Sequence, residues 1–123
     1  MDGKKRILVV EDNEQNRIML RDILLYHGYE VIEANDGEVG LNMTRQHMPA
    51  LVLMDIQMPV MDGLTAGKAL KSDPKTNAIK LIAVTSFAMK GDQEKIIDAG
   101  FDDYIAKPID TRLLPEMIKK HLE

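Results

Sequence analysis

Three short stretches of the chain are apolar at every position: Ile7-Leu8-Val9-Val10, Ala50-Leu51-Val52-Leu53-Met54 and Leu81-Ile82-Ala83-Val84. Each is too short for a helix, and none alternates apolar with polar residues. Uninterrupted runs of this length fit parallel strands covered on both faces. Two weaker strands are predicted at 30–33 and 103–106. Between them the pattern changes to helical spacing. In 14–26, Ile18, Met19, Ile23 and Tyr26 share a face, and Gly28 suits a left-handed helix end. Residues 37–46 carry Val39, Leu41 and Met43, with Pro49 soon after. Asp62 can cap a helix running to about Lys71, and 90–99 form a helix closed by Gly100. Asp110 is the predicted cap of a last helix holding Leu113, Leu114, Met117, Ile118 and Leu122. Pro115 in that segment predicts a late start or a small kink.

Strand and helix thus alternate five times. Such alternation specifies an α/β fold with a parallel sheet, right-handed crossovers and helices on both faces. The expected architecture is a five-stranded doubly wound sheet in the order 2-1-3-4-5, the flavodoxin-like (βα)5 arrangement. Its site lies beyond the carboxyl ends of strands 1 and 3.

Composition narrows the function. At 123 residues the chain has the length of one domain, and a separate output domain is not expected. The net charge of −4 argues against direct nucleic-acid binding, which calls for a basic excess. The absence of cysteine excludes a disulfide scaffold, a thiol nucleophile and a zinc ribbon. No apolar run approaches a membrane span, and no signal-peptide stretch follows residues 1–6, so a cytoplasmic location is expected.

The residues following each strand carry the chemistry. Glu11 and Asp12 follow the first, Asp55 the third, Thr85 and Ser86 the fourth, and Lys107-Pro108 the fifth. Four strands therefore deliver acids, a hydroxyl and an ammonium to one edge. Crowded carboxylates repel one another, and a hard divalent cation relieves the repulsion. A few carboxylates that leave room for water and phosphate oxygens suit Mg²⁺ better than Ca²⁺. Aspartate can also act as a nucleophile that forms an aspartyl-phosphate, and phosphoryl transfer mainly requires positioning and charge neutralisation.

These residues resemble the receiver domain of bacterial two-component response regulators. The resemblance runs through Ile7-Leu8-Val9-Val10-Glu11-Asp12-Asn13, Leu53-Met54-Asp55-Ile56-Gln57-Met58-Pro59, Met61-Asp62-Gly63, Val84-Thr85 and Gly100-Phe101-Asp102-Asp103-Tyr104-Ile105-Ala106-Lys107-Pro108. It implies that Asp55 is the phosphoacceptor and that Asp12, Asp55 and the backbone carbonyl of Gln57 bind Mg²⁺, with Glu11 holding a metal-bound water. It implies that Lys107 pairs with the phosphoryl group, that Thr85 and Tyr104 form the switch, and that the Lys107–Pro108 bond is cis. A partner histidine kinase or phosphotransferase would donate the phosphoryl group. The donor would dock on Asn13, Asn16 and Met19, spaced by three along the first helix, together with Pro108 and Ile109. The downstream target would read the face made by helix 4, strand 5 and helix 5. Gln57 and Phe87 stand where the family tunes phosphoryl lifetime.

Simpler readings compete at several positions. The nine methionines are expected to fill the core, and His27, His47 and His121 to be ordinary surface or packing residues. Lys4-Lys5-Arg6 reads as a solvated edge. A Mg²⁺-dependent phosphatase working through an aspartyl-phosphate is disfavoured, because Gln57 stands where such enzymes place a second aspartate. A flavodoxin-like cofactor site is disfavoured by the acidic, glycine-free loop after strand 1. The chain also resembles the receivers of hybrid histidine kinases, although Met1 close to strand 1 favours a stand-alone receiver.

Overall fold

A computed structural model describes residues 4–58, 60–86 and 90–122. Phe87 and Pro59, singled out above, lie outside these residues. The elements alternate as expected: β1 (Arg6–Val10), α1 (Glu14–Tyr26), β2 (Glu30–Ala34), α2 (Gly37–His47), β3 (Leu51–Asp55), α3 (Gly63–Ser72), β4 (Lys80–Thr85), α4 (Lys90–Asp98), β5 (Asp103–Ala106) and α5 (Leu113–Leu122). All five strands are parallel, in the order β2-β1-β3-β4-β5.

Because side chains alternate across a strand, the continuous apolar runs feed two cores. Leu8, Val10, Val52, Met54, Leu81 and Ala83 face α2, α3 and α4, where Leu41, Ala66, Leu70 and Ile96 close over them. Ile7, Val9, Leu51, Leu53, Ile82 and Val84 face α1 and α5, meeting Leu20, Leu24, Leu114 and Ile118. Burial on both faces explains why these strands lack a polar alternation.

The helix ends follow their side chains. Asn13, Asp36 and Asp62 cap α1, α2 and α3, each accepting a backbone N–H three residues on. Gly28 and Gly100 take positive φ of 90° and 100° at the ends of α1 and α4. The last helix is entered through Asp110, as predicted. Its carboxylate accepts the Arg112 N–H and its carbonyl takes those of Leu113 and Leu114, the bonding of a helix cap. Regular α5 begins at Leu113, so Pro115 falls in its first turn and the start is late.

Two expectations change. Among the described methionines only Met54 is fully buried; Met19, Met43, Met58, Met61 and Met117 are half-buried and Met48 is exposed. His121 is more than a packing residue, because its Nε2 lies 2.9 Å from Asp103 Oδ2 and ties α5 to β5. At the same amino-terminal end of the sheet, Arg6 pairs with Glu30 and Lys5 Nζ donates to the Leu122 carbonyl.

Candidate functional site

The parallel register brings the predicted residues together. Val10 pairs with Met54, so Glu11 and Asp12 leave β1 beside Asp55, the last residue of β3. Asp55 and Thr85 end their strands rather than opening loops, because Asp55 pairs with Val84 and Thr85 with Ala106. Lys107 follows directly, its N–H bonded to the Thr85 carbonyl at 2.8 Å, and its bond to Pro108 is cis.

Carboxylate oxygens of Glu11, Asp12 and Asp55 lie within 4.8 Å of one another. Glu11 and Asp55 are buried, at 1% and 2% exposed, whereas Asp12 opens to solvent. Lys107 spans the buried pair, with Nζ 3.0 Å from Asp55 Oδ2 and 3.2 Å from Glu11 Oε1. The first contact is a hydrogen bond. The second is an ion pair only: Glu11 Oε1 is a buried acceptor without a hydrogen bond among the described residues. The other oxygens are held by the backbone, Glu11 Oε2 by the Asn13 N–H at 3.0 Å and Asp55 Oδ1 by the Gln57 N–H at 3.1 Å.

The electrostatics follow from this crowding. Burial is the main force raising the Glu11 pKa, and Asp55 adds to it; the Asn13 N–H and Lys107 oppose, and the result is about 7 against the usual 4.5. Burial works against the Lys107 ammonium, but Asp55 and Glu11 outweigh it and hold its pKa above the usual 10.5. Three acids thus share one ammonium. That shortfall of positive charge, with an orphaned buried oxygen beside it, fits a hard divalent cation.

Two cavities flank the acids. One, of about 390 Å³, is lined by Asn16, Met19, Ser86, Lys107, Pro108 and Ile109, which places four of the five predicted donor-docking residues around a common cleft. Asn13 does not line it; its side chain is committed to capping α1. The other, of about 570 Å³, lies between the loop after β3 and α4, with Met58, Leu64, Thr85 and Ile96 among its walls. Thr85 is fully buried, and Tyr104 is half-buried against the core on the α4 side.

The glycine after the Asp62 cap presses α3 onto this edge. A Cβ on Gly63 would stand 2.3 Å from the Asp55 carbonyl oxygen and 2.8 Å from Ile56 Cα. Sequence reasoning assigned no role to Arg17, whose guanidinium reaches the Glu11 carbonyl from α1. The available signal was a cation early in a helix, where the macrodipole disfavours it, close to an acid pair.

A model of the response regulator receiver domain matches residues 7–119. The chain belongs to the receiver-domain family. It is 46% identical over 118 residues to the polar-differentiation response regulator DivK of Brucella anthropi, covering 96% of each chain. Among solved structures it resembles the receiver domain of sensor histidine kinase PA1611 from Pseudomonas aeruginosa, with TM-score 0.90, 30% identity and 98% of both chains covered. That receiver has a magnesium ion coordinated in its active-site cleft. A second neighbour comes from the co-crystal structure of the Saccharomyces cerevisiae histidine phosphotransfer signaling protein Ypd1 with the receiver domain of Ssk1. Its TM-score is 0.90 at 27% identity, with 98% of this chain and 90% of that chain covered. No helix among the described residues is long and apolar enough to cross a membrane.

Proposed function

We propose that this receiver is a phosphorylation-operated switch whose acceptor is Asp55. The observation that carries this reading is the Lys107 ammonium bridging Asp55 and Glu11 at 3.0 and 3.2 Å, beside a third acid. A carboxylate oxygen of Asp55 attacks phosphorus on a phosphohistidine of a partner kinase or phosphotransferase. The new O–P bond forms as the N–P bond breaks, and the electron pair returns to the imidazole nitrogen. Lys107 meets the charge on the phosphoryl oxygens, and Glu11, Asp12 and Asp55 with the Gln57 carbonyl are the groups that would hold Mg²⁺. When bound, the ion supplies neutralisation of the charge that the acids and the phosphoryl group place together. The acyl phosphate carries about −1.5 to −2 of charge, by analogy with other phosphoresidues, where the carboxylate carried a single negative charge.

Signalling then proceeds by population shift. Drawing the Thr85 hydroxyl toward the phosphoryl group favours an inward Tyr104 and changes the face made by α4, β5 and α5, which a downstream protein reads. The cleft of Asn16, Met19, Pro108 and Ile109 beside Lys107 supports docking of the donor there. The test is incubation with acetyl phosphate and Mg²⁺, followed by intact-protein mass spectrometry. One phosphoryl group is expected on the wild type and none on Asp55→Asn. No gain, or a gain that survives Asp55→Asn, refutes the assignment.

A further inference from the structure

One contact to the acid cluster comes from outside the strand-end motifs. Arg17, in the second turn of α1, donates from Nη1 to the Glu11 carbonyl at 3.1 Å and from Nε to Glu33 Oε1 at 3.2 Å. Its side chain is only 19% exposed, and Glu33 on β2 is in turn 3.8 Å from Arg21 Nη1. We infer that Arg17 is a positioning residue for the cation site, fixing the peptide that carries two of its three acids. The inference rests on the reading of Glu11, Asp12 and Asp55 as that site.

The carbonyl of Glu11 and the N–H of Asp12 belong to one rigid unit, and the α-carbons of Glu11 and Asp12 are its two ends. A hydrogen bond to that carbonyl therefore orients both carboxylate-bearing carbons together. The Glu11 N–H extends the sheet by bonding to the Ala34 carbonyl, but the β1–β3 pairing ends at Val10 and Met54. The Glu11 carbonyl lies beyond that ladder, on a residue that is 1% exposed, and its partner is Arg17. Glu33 holds the guanidinium from the other side. The planar fork reaches the carbonyl with one nitrogen and the carboxylate with another, so the two contacts share one fixed plane.

Electrostatics alone predicts the opposite effect. Arg17 is a cation near a site for a cation, so removing its charge should strengthen metal binding if charge were its only contribution. The sign of the change separates positioning from simple charge.

The experiment is a calorimetric Mg²⁺ titration of the intact chain, which lacks tryptophan for a fluorescence readout. Wild type is compared with Arg17→Met, which keeps the apolar stem, and Arg17→Lys, which keeps the charge but not the planar fork. Arg17→Met is expected to weaken Mg²⁺ binding roughly 10-fold, the usual consequence of losing a group that orients a ligand. Arg17→Lys should recover part of that loss. In metal-free ¹⁵N spectra the Asp12 amide resonance should move in Arg17→Met, while the amides of Leu51 and Leu53 in β3 stay in place. Equal or tighter Mg²⁺ binding by Arg17→Met with an unmoved Asp12 amide overturns the inference and leaves the cation site standing. A wild type that binds no Mg²⁺ overturns both. Should Arg17→Met fail to fold, Arg17→Lys decides: affinity below wild type with a displaced Asp12 amide supports positioning, and wild-type behaviour in both refutes it.

Discussion

The Glu11 carboxylate makes this site expensive, and the expense is measurable. In the metal-free protein its pKa stands near 7 rather than 4.5, principally because it is buried and secondarily because Asp55 is beside it. A raised acid pKa means that the unfolded chain gives up this proton first. Between pH 4.5 and 7 the folded state binds more protons than the unfolded one, so stability falls as pH rises. Above pH 7 the whole penalty is present, and at about 1.4 kcal/mol per pH unit it is on the order of 3 kcal/mol. Replacing Glu11 with Gln removes the charge while keeping the shape. The variant should therefore be more stable than wild type at pH 8.5, by up to about 3 kcal/mol, and the difference should close as pH falls through 7 toward 4.5.

Urea unfolding followed by far-ultraviolet circular dichroism, with a chelator present, measures both chains across that range. Saturating Mg²⁺ should then stabilise wild type more than Glu11→Gln, because a ligand adds stability according to its affinity for the folded state. An equal or lower stability of Glu11→Gln at pH 8.5, or a gain that is constant with pH, would refute the claim that the Glu11 charge opposes folding.

Other outcomes test the frame around the site. Gly63→Ala should cost about 1–3 kcal/mol in urea midpoint analysis, since the new Cβ meets backbone atoms of Asp55 and Ile56 that cannot rotate away. Gly91→Ala, with nothing within 4 Å, is its control and should be neutral or slightly stabilising. Burial opposes ionisation of Asp102, but the Leu81 N–H and Lys71 outweigh it and hold its pKa below the usual 3.8. Its contribution is thus complete above pH 3.8 and lost as pH falls through the lowered folded value, so Asp102→Asn should flatten the acid limb of the stability profile. Met19→Glu should slow phosphoryl transfer from a histidine donor in a quenched-flow assay and leave the acetyl phosphate reaction unchanged; equal slowing of both would place Met19 in the core rather than the docking cleft.

What the sequence discloses here, and what it withholds, divides along physical lines. Ile7–Val10 and its two counterparts reveal parallel strands because burial on both faces leaves no polar position. Once those strands are parallel and adjacent, the residues after them must share an edge, so Glu11, Asp12, Asp55 and Lys107 were legible together. Asp110 was legible as the entry to the last helix because its short carboxylate can take a backbone N–H ahead of the first apolar residues, and it takes that of Arg112. Asp36 was overlooked as a cap because Asn35 beside it is equally suitable ahead of Gly37.

Arg17 escaped for a deeper reason. A strand-end motif records which side chains reach an edge but says nothing about the carbonyls between them. The Glu11 carbonyl lies one residue past the last β1–β3 pair, so it needs a donor from elsewhere in the fold. That donor comes from a helix six residues on and is itself held by a different strand. Sites built where a sheet ends will repeatedly contain such groups, because the ladder that satisfies the backbone stops where the chemistry starts. The acids and the ammonium can be read from the chain; the group that aims them appears only when every buried carbonyl is asked for its partner.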